Sequence, residues 1–67
     1  MQVSARNQLK GKVKRVQLGA VMAEVEVDVG GQTVISVITK GSAEGMKLAA
    51  GDDVVVLIKS TEVMIGK

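Results

Sequence analysis

The 67-residue chain predicts an all-β domain of five short antiparallel strands with one short helix. Three observations carry that class. Ala23, Val25, Val27 and Val29 alternate with Glu24, Glu26 and Asp28, the period of two that a half-buried strand requires. Gly30-Gly31 follows at once, and both residues accept the positive φ of a tight hairpin turn. Thr33 to Thr39 is then β-branched at six of its seven positions, as a returning strand would be.

The remaining elements fall around this hairpin. Lys10 to Leu18 reads as the first strand, mixing Val13, Val16 and Leu18 with Lys12, Lys14 and Arg15 in an imperfect alternation, with a basic solvent face and Gly19 as its end. Ser42 to Leu48 is the helix: Ser42 reads as its N-cap, and Glu44 sits where the helix dipole favours an acid. Gly45 costs about 1 kcal/mol against Ala in a helix, so one or two turns are expected. Gly51-Asp52-Asp53 is a turn, and Val54 to Ile58 reads as a strand buried on both faces. Val63-Met64-Ile65 is the fifth strand. Three strands, a short helix and two more strands are the layout of a small OB-like barrel, with a two-layer sandwich fragment as the alternative. Residues 1–67 read as one domain without proline, linker or repeat.

Composition narrows the function. A domain this small buries only about 60% of the surface its unfolded chain exposes, so it needs a staple. With no cysteine and no histidine, disulfides are excluded and a zinc, haem or iron–sulfur site is not expected. The chain is 46% hydrophobic with a mean hydropathy of +0.29, which points to apolar surface hidden between copies of itself. A homo-oligomer is therefore expected. The absence of aromatic residues removes the stacking platforms of a single-stranded nucleic-acid binder, and a net charge of +2 is weak for a phosphate-backbone partner. Without His, Cys or Tyr the usual acid–base and nucleophilic groups are missing, so no catalysis is expected. The longest apolar run, Val54 to Ile58, is far short of a membrane span, and Met1 to Leu9 has no apolar leader. No membrane partner is expected, and the cytoplasm is the expected compartment.

What the chain does offer is hydrogen-bond donors. Ser4 to Gly11 holds a hydroxyl, a guanidinium, two carboxamides and an ammonium with no acid among them. Ser4 with Arg6, Thr39 with Ser42, Lys59 with Ser60, and the turn Gly19-Ala20 are the candidate groups. A tetrahedral oxyanion needs several donors converging from different directions, with one or two cations to offset its charge. Hydroxyls and turn amides supply direction, and Arg6 and Lys59 supply charge. Each group also has an ordinary reading: an exposed strand start, a helix cap, a strand reaching solvent. Glu24, Glu26 and Asp28 read as a solvated stripe rather than a cation site.

Taken together the segments are specific. Ser4-Ala5-Arg6-Asn7-Gln8-Leu9-Lys10-Gly11-Lys12-Val13, Gly19-Ala20-Val21, Ser36-Val37-Ile38-Thr39, Ser42-Ala43-Glu44 and Leu57 to Gly66 resemble the molybdate/tungstate-binding Mop domain. The chain is similar to the molbindins, in which a single such domain is the whole protein. The resemblance implies an OB-like barrel and a homohexamer built as a trimer of dimers. It implies molybdate or tungstate as bound ligand between subunits, held as an intracellular store or buffer. Carried over by position, Ser4 and Arg6 of one chain would meet Thr39, Ser42, Lys59 and Ser60 of its neighbour, with Asn7 bracing the loop. A second site near the three-fold axis would use backbone around Gly19, Ala20 and Val21. Met22 stands where the family commonly carries Asn, which takes a polar side chain from that second site.

Overall fold

A computed structural model describes residues 1–67. The elements are β1 (Asn7–Leu18), β2 (Met22–Val29), β3 (Gln32–Thr39), α1 (Lys40–Gly45), β4 (Asp53–Ile58) and a 3-10 turn over Ser60–Glu62. One sheet holds all four strands in the order β3-β2-β1-β4 with every neighbour antiparallel. The all-β class holds, with four strands rather than five.

The hairpin forms where its glycines require it. Gly30 and Gly31 have φ of 58° and 88°, and the amide of Gly31 donates to Asp28 Oδ1 at 3.1 Å. Positive φ at both central residues matches the twist of the flanking strands, so β2 and β3 pair without slip from Val29↔Gln32 to Met22↔Thr39.

β1 is the long element and serves two partners. Its first half pairs β4 from Asn7↔Ile58 to Lys12↔Asp53, and its second half pairs β2 from Lys12↔Asp28 to Leu18↔Ala23. A bulge falls between Val13 and Arg15, and the turn before β4 is bonded into it. Val13 N–H donates to Asp52 O at 2.9 Å, while Gly51 N–H donates to Val13 O at 2.8 Å. Bulges increase twist and bend the strand that carries them. Gly11 lets β2 come close at the same bend: a Cβ there would stand 2.7 Å from both Asp28 O and Val27 Cγ1.

The core is small. Val13, Val25 and Val27 form its centre, packed by Val16, Val29, Ile38, Leu48, Val54 and Val56, while Ala23 and Ala43 are buried nearby. Only five of 67 residues are fully buried, because the curled sheet stays open between the free edges of β3 and β4. An apolar trough of about 660 Å³ occupies that opening.

Three expectations change. Val63-Met64-Ile65 is not a strand: the 3-10 turn after β4 leads it away from every edge of its own sheet, and a strand without a partner has no ladder. β4 is half-buried on one face only, with Val55 and Leu57 exposed at 38% and 40%, because nothing in the chain covers its outer side. The helix starts at Lys40, not after Ser42, because Thr39 is its N-cap: extended at φ −69°, ψ 148°, with its side chain accepting the amide of Ser42. Gly45 ends the helix after six residues.

Candidate functional site

The register sorts the candidate donors into two groups at opposite ends of β1. At its start, Asn7 pairs with Ile58 and its Nδ2 donates to Ile58 O at 3.2 Å. The segments leading in and out, Ser4–Arg6 and Lys59–Ser60, therefore emerge at the same end of the sheet. Gln8 Nε2 donates to Ala5 O at 2.8 Å and fixes the bend by which residues 4–6 enter β1. At the far end, Leu18 pairs with Ala23 and Met22 with Thr39, which brings the turn Gly19-Ala20-Val21 beside Thr39 and Ser42. The contact is direct, since Lys40 N–H donates to Val21 O at 2.8 Å. The twelve residues of β1 separate the two groups, roughly 40 Å of strand path.

Within each group the donors are in different states. Thr39 Oγ1 accepts the amide of Ser42 at 3.1 Å and donates its own proton to Ser42 Oγ at 2.8 Å. That leaves the Ser42 hydroxyl proton as the one the pair can offer outward. The turn amide of Gly19 is already taken by Met22 O at 2.7 Å, and Val21 O by Lys40. The Gly19 amide and the Val21 carbonyl thus hold the turn against α1, while the amides of Ala20 and Val21 donate no backbone bond.

The first group holds two cations, Arg6 and Lys59, and the second holds Lys40. The chain has two ion pairs, Lys12–Asp53 at 3.2 Å and Arg15–Glu26 at 3.1 Å. Lys14 donates to Thr33 Oγ1 at 2.9 Å, and Arg15 also reaches Gln17. The basic face of β1 is accordingly occupied with cross-strand partners. Arg6 and Lys59 belong to neither ion pair, and both are exposed at the end where β1 begins and β4 ends. No cluster of three His, Cys, Asp or Glu side chains stands close enough to hold a metal cation. The available chemistry is donation of hydrogen bonds and positive charge to an anion.

Residues 3–65 match the TOBE domain model. The chain belongs to the TOBE-domain family. Molybdenum-pterin-binding protein 3 of Clostridium pasteurianum is 48% identical over 66 residues, which is 97% of this chain and 97% of that protein. Among solved structures, a molybdate-binding protein from Sporomusa ovata superposes with a TM-score of 0.95 at 37% identity, each chain covered in full. The cytoplasmic molybdate-binding protein ModG, in a form with molybdate bound, gives a TM-score of 0.85 at 44% identity over 90% of this chain and 43% of its own. The OB-like class and the Mop resemblance read from Ser4–Val13 and Leu57–Gly66 both hold for this TOBE domain. The sequence reading missed the Thr39 cap. A β-branched hydroxyl three residues before Ser42, at the end of a strand, was the available signal.

Proposed function

We propose that this TOBE domain binds molybdate or tungstate at interfaces between identical copies and acts as a cytoplasmic store or buffer, without catalysing a reaction. The observation that carries the reading is that two cations outside the ion pairs, Arg6 and Lys59, lie beside Ser4 and Ser60 at one end of the molecule. The likeness to molybdate-binding relatives along the whole chain supports the same ligand. Residues 1–67 act as one such domain.

The geometry favours a site completed by a second chain. Ser4, Arg6, Lys59 and Ser60 lie at one end of β1, and Thr39 and Ser42 at the other. One chain cannot wrap both groups around an ion a few ångströms across. Two copies can do so when the Ser42 end of one faces the Lys59 end of the other. Lys59 and Arg6 would offset the charge of the dianion, and Ser4, Ser42 and Ser60 would donate hydroxyl hydrogens. Thr39 would act chiefly by holding Ser42 in place. A second oxyanion position at Gly19-Ala20-Val21 would rest on the amides of Ala20 and Val21, because that of Gly19 already serves the turn.

Isothermal calorimetry of the purified protein with molybdate and with tungstate tests the proposal. Saturable heat is expected from wild type, with affinity at least tenfold weaker in Lys59→Ala and Ser4→Ala and an unchanged native mass. Hydrogen bonds to a charged group contribute about 1.5–3 kcal/mol each, which sets that factor. No heat from wild type with either oxyanion would end the reading.

A further inference from the structure

We propose that the open cavity between the second half of β1 and the loop after α1 binds a small organic phosphomonoester, with Lys47 as the residue that holds its charge. The site is separate from the oxyanion donors of the proposed function and does not depend on that reading.

The backbone of Lys47 sets it apart. It is the one residue other than glycine with positive φ, at 52°, while Gly30, Gly31 and Gly51 fill the other left-handed positions. Lys47 N–H donates to Glu44 O at 3.0 Å and Leu48 N–H donates to Ala43 O at 3.1 Å. These two bonds close a helix C-terminus, and the residue at the Lys47 position of that motif is usually glycine. The fold thus accounts for the conformation but not for the side chain. A residue with a Cβ is strained there, and strain of this kind concentrates at functional sites. A second irregularity borders the same cavity. The bulge between Val13 and Arg15 makes Lys14 the extra residue of β1, and bulges re-aim side chains next to sites.

The cavity measures about 460 Å³, in the range of small-molecule sites. It exists because β4 pairs β1 only as far as Lys12. Beyond that point the loop after α1 takes the place of a strand, bonded to Val13 through Gly51 and Asp52, and a gap remains beside Val16 and Leu18. Leu18 lies opposite buried Ala23 and is still 49% exposed. Val16, Leu18, Ala43 and Leu48 give the cavity an apolar floor. Its rim carries charge. Lys47 has no ion-pair partner, and Lys14 has only the neutral Thr33 hydroxyl, whereas Arg15 is balanced by Glu26. Glu44 is the one acid in the lining, and it forms no ion pair. Two uncompensated ammonium groups over an apolar floor suit a ligand that joins a phosphate, with a charge of about −1.5 to −2 at neutral pH, to a small apolar body. A bare oxyanion would leave the floor uncovered.

The test titrates the full 15N-labelled chain with phenyl phosphate and follows it by NMR. Saturable shifts are expected at the amides of Lys14–Leu18 and Ala43–Ala50 below about 10 mM. Lys47→Met keeps the strained backbone and removes the charge, so it should weaken binding about tenfold, as loss of a charge-assisted hydrogen bond does. Lys47→Gly should weaken binding as much while raising the urea midpoint, so that lost binding cannot come from unfolding. Glu44→Gln should tighten binding about twofold by removing the one opposing charge. No saturable shift at these amides, or shifts that both Lys47 variants leave unchanged, would overturn the site. Shifts at Ser4–Arg6 and Lys59–Ser60 alone would do the same. Molybdate calorimetry is read separately: heat from molybdate without these shifts removes the cavity site alone, and shifts without that heat remove the oxyanion reading alone.

Discussion

Thr39 and Ser42 divide between them two tasks that a single residue often combines. Thr39 Oγ1 caps α1 by accepting the Ser42 amide, and the Ser42 hydroxyl is the outward donor of the pair. Ser42→Ala should therefore leave the cap in place, changing stability by less than about 0.5 kcal/mol, the usual range for an exposed substitution. Under the proposed function its molybdate affinity should fall about tenfold in calorimetry, since one hydrogen bond to a charged ligand is lost. Thr39→Ala removes the cap itself and should cost about 1 kcal/mol in urea unfolding, as loss of a Ser/Thr cap typically does. If Ser42→Ala were the more destabilising of the two, the division of roles would be wrong. The sequence identified both residues as donors but gave the cap to Ser42. Helix start signals resolve to a few positions only, and here two hydroxyls stand three apart.

At the scale of elements, the fold depends on how far β1 can bend, and Gly11 sits at the crossing where β2 and β4 meet it. A methyl group there meets backbone, Asp28 O at 2.7 Å, which cannot rotate aside. Gly11→Ala should destabilise by about 1–3 kcal/mol, the range for overpacking, and lower the urea midpoint with little change in slope. Gly41→Ala is the control: an added Cβ meets nothing within 4 Å in the first turn of α1, and helix propensity favours Ala. It should be neutral or stabilising by up to about 1 kcal/mol. A Gly11→Ala variant as stable as Gly41→Ala would show that the bend tolerates a side chain. The hairpin of β2 and β3 was legible because alternation and Gly-Gly are local signals. Gly11 was not, because its constraint comes from Asp28, seventeen positions away in the chain. Val54 to Ile58 misled for a related reason. An apolar run marks burial on both faces without saying whose surface provides it, and within one chain Val55 and Leu57 face water.

The whole molecule has too little core for its length. Five buried residues in 67, with Val13, Val25 and Val27 beneath an open trough, leave the isolated chain with few contacts to offset the conformational entropy of ordering it. Exposed Met64, Ile65 and Leu57 would gain from burial against another copy, at about 25 cal/mol for each Å² of apolar surface covered. Folding and association are then linked, and apparent stability must depend on protein concentration. A hundredfold dilution should lower the melting temperature by about 5 °C or more, given that 1 kcal/mol corresponds to about 4–8 °C in a domain of this size. Molybdate that binds only the assembled form should raise it again: at a hundred times the dissociation constant it adds about 2.7 kcal/mol. Thermal unfolding followed by circular dichroism over two decades of concentration, with and without molybdate, measures both effects together. A melting temperature independent of concentration would mean that the single chain is stable with its trough open. A donor-rich end that needs a neighbour and a core that needs a neighbour would then have separate explanations. A concentration dependence that molybdate offsets would tie them to one cause, because a second copy would then both cover the trough and complete the site.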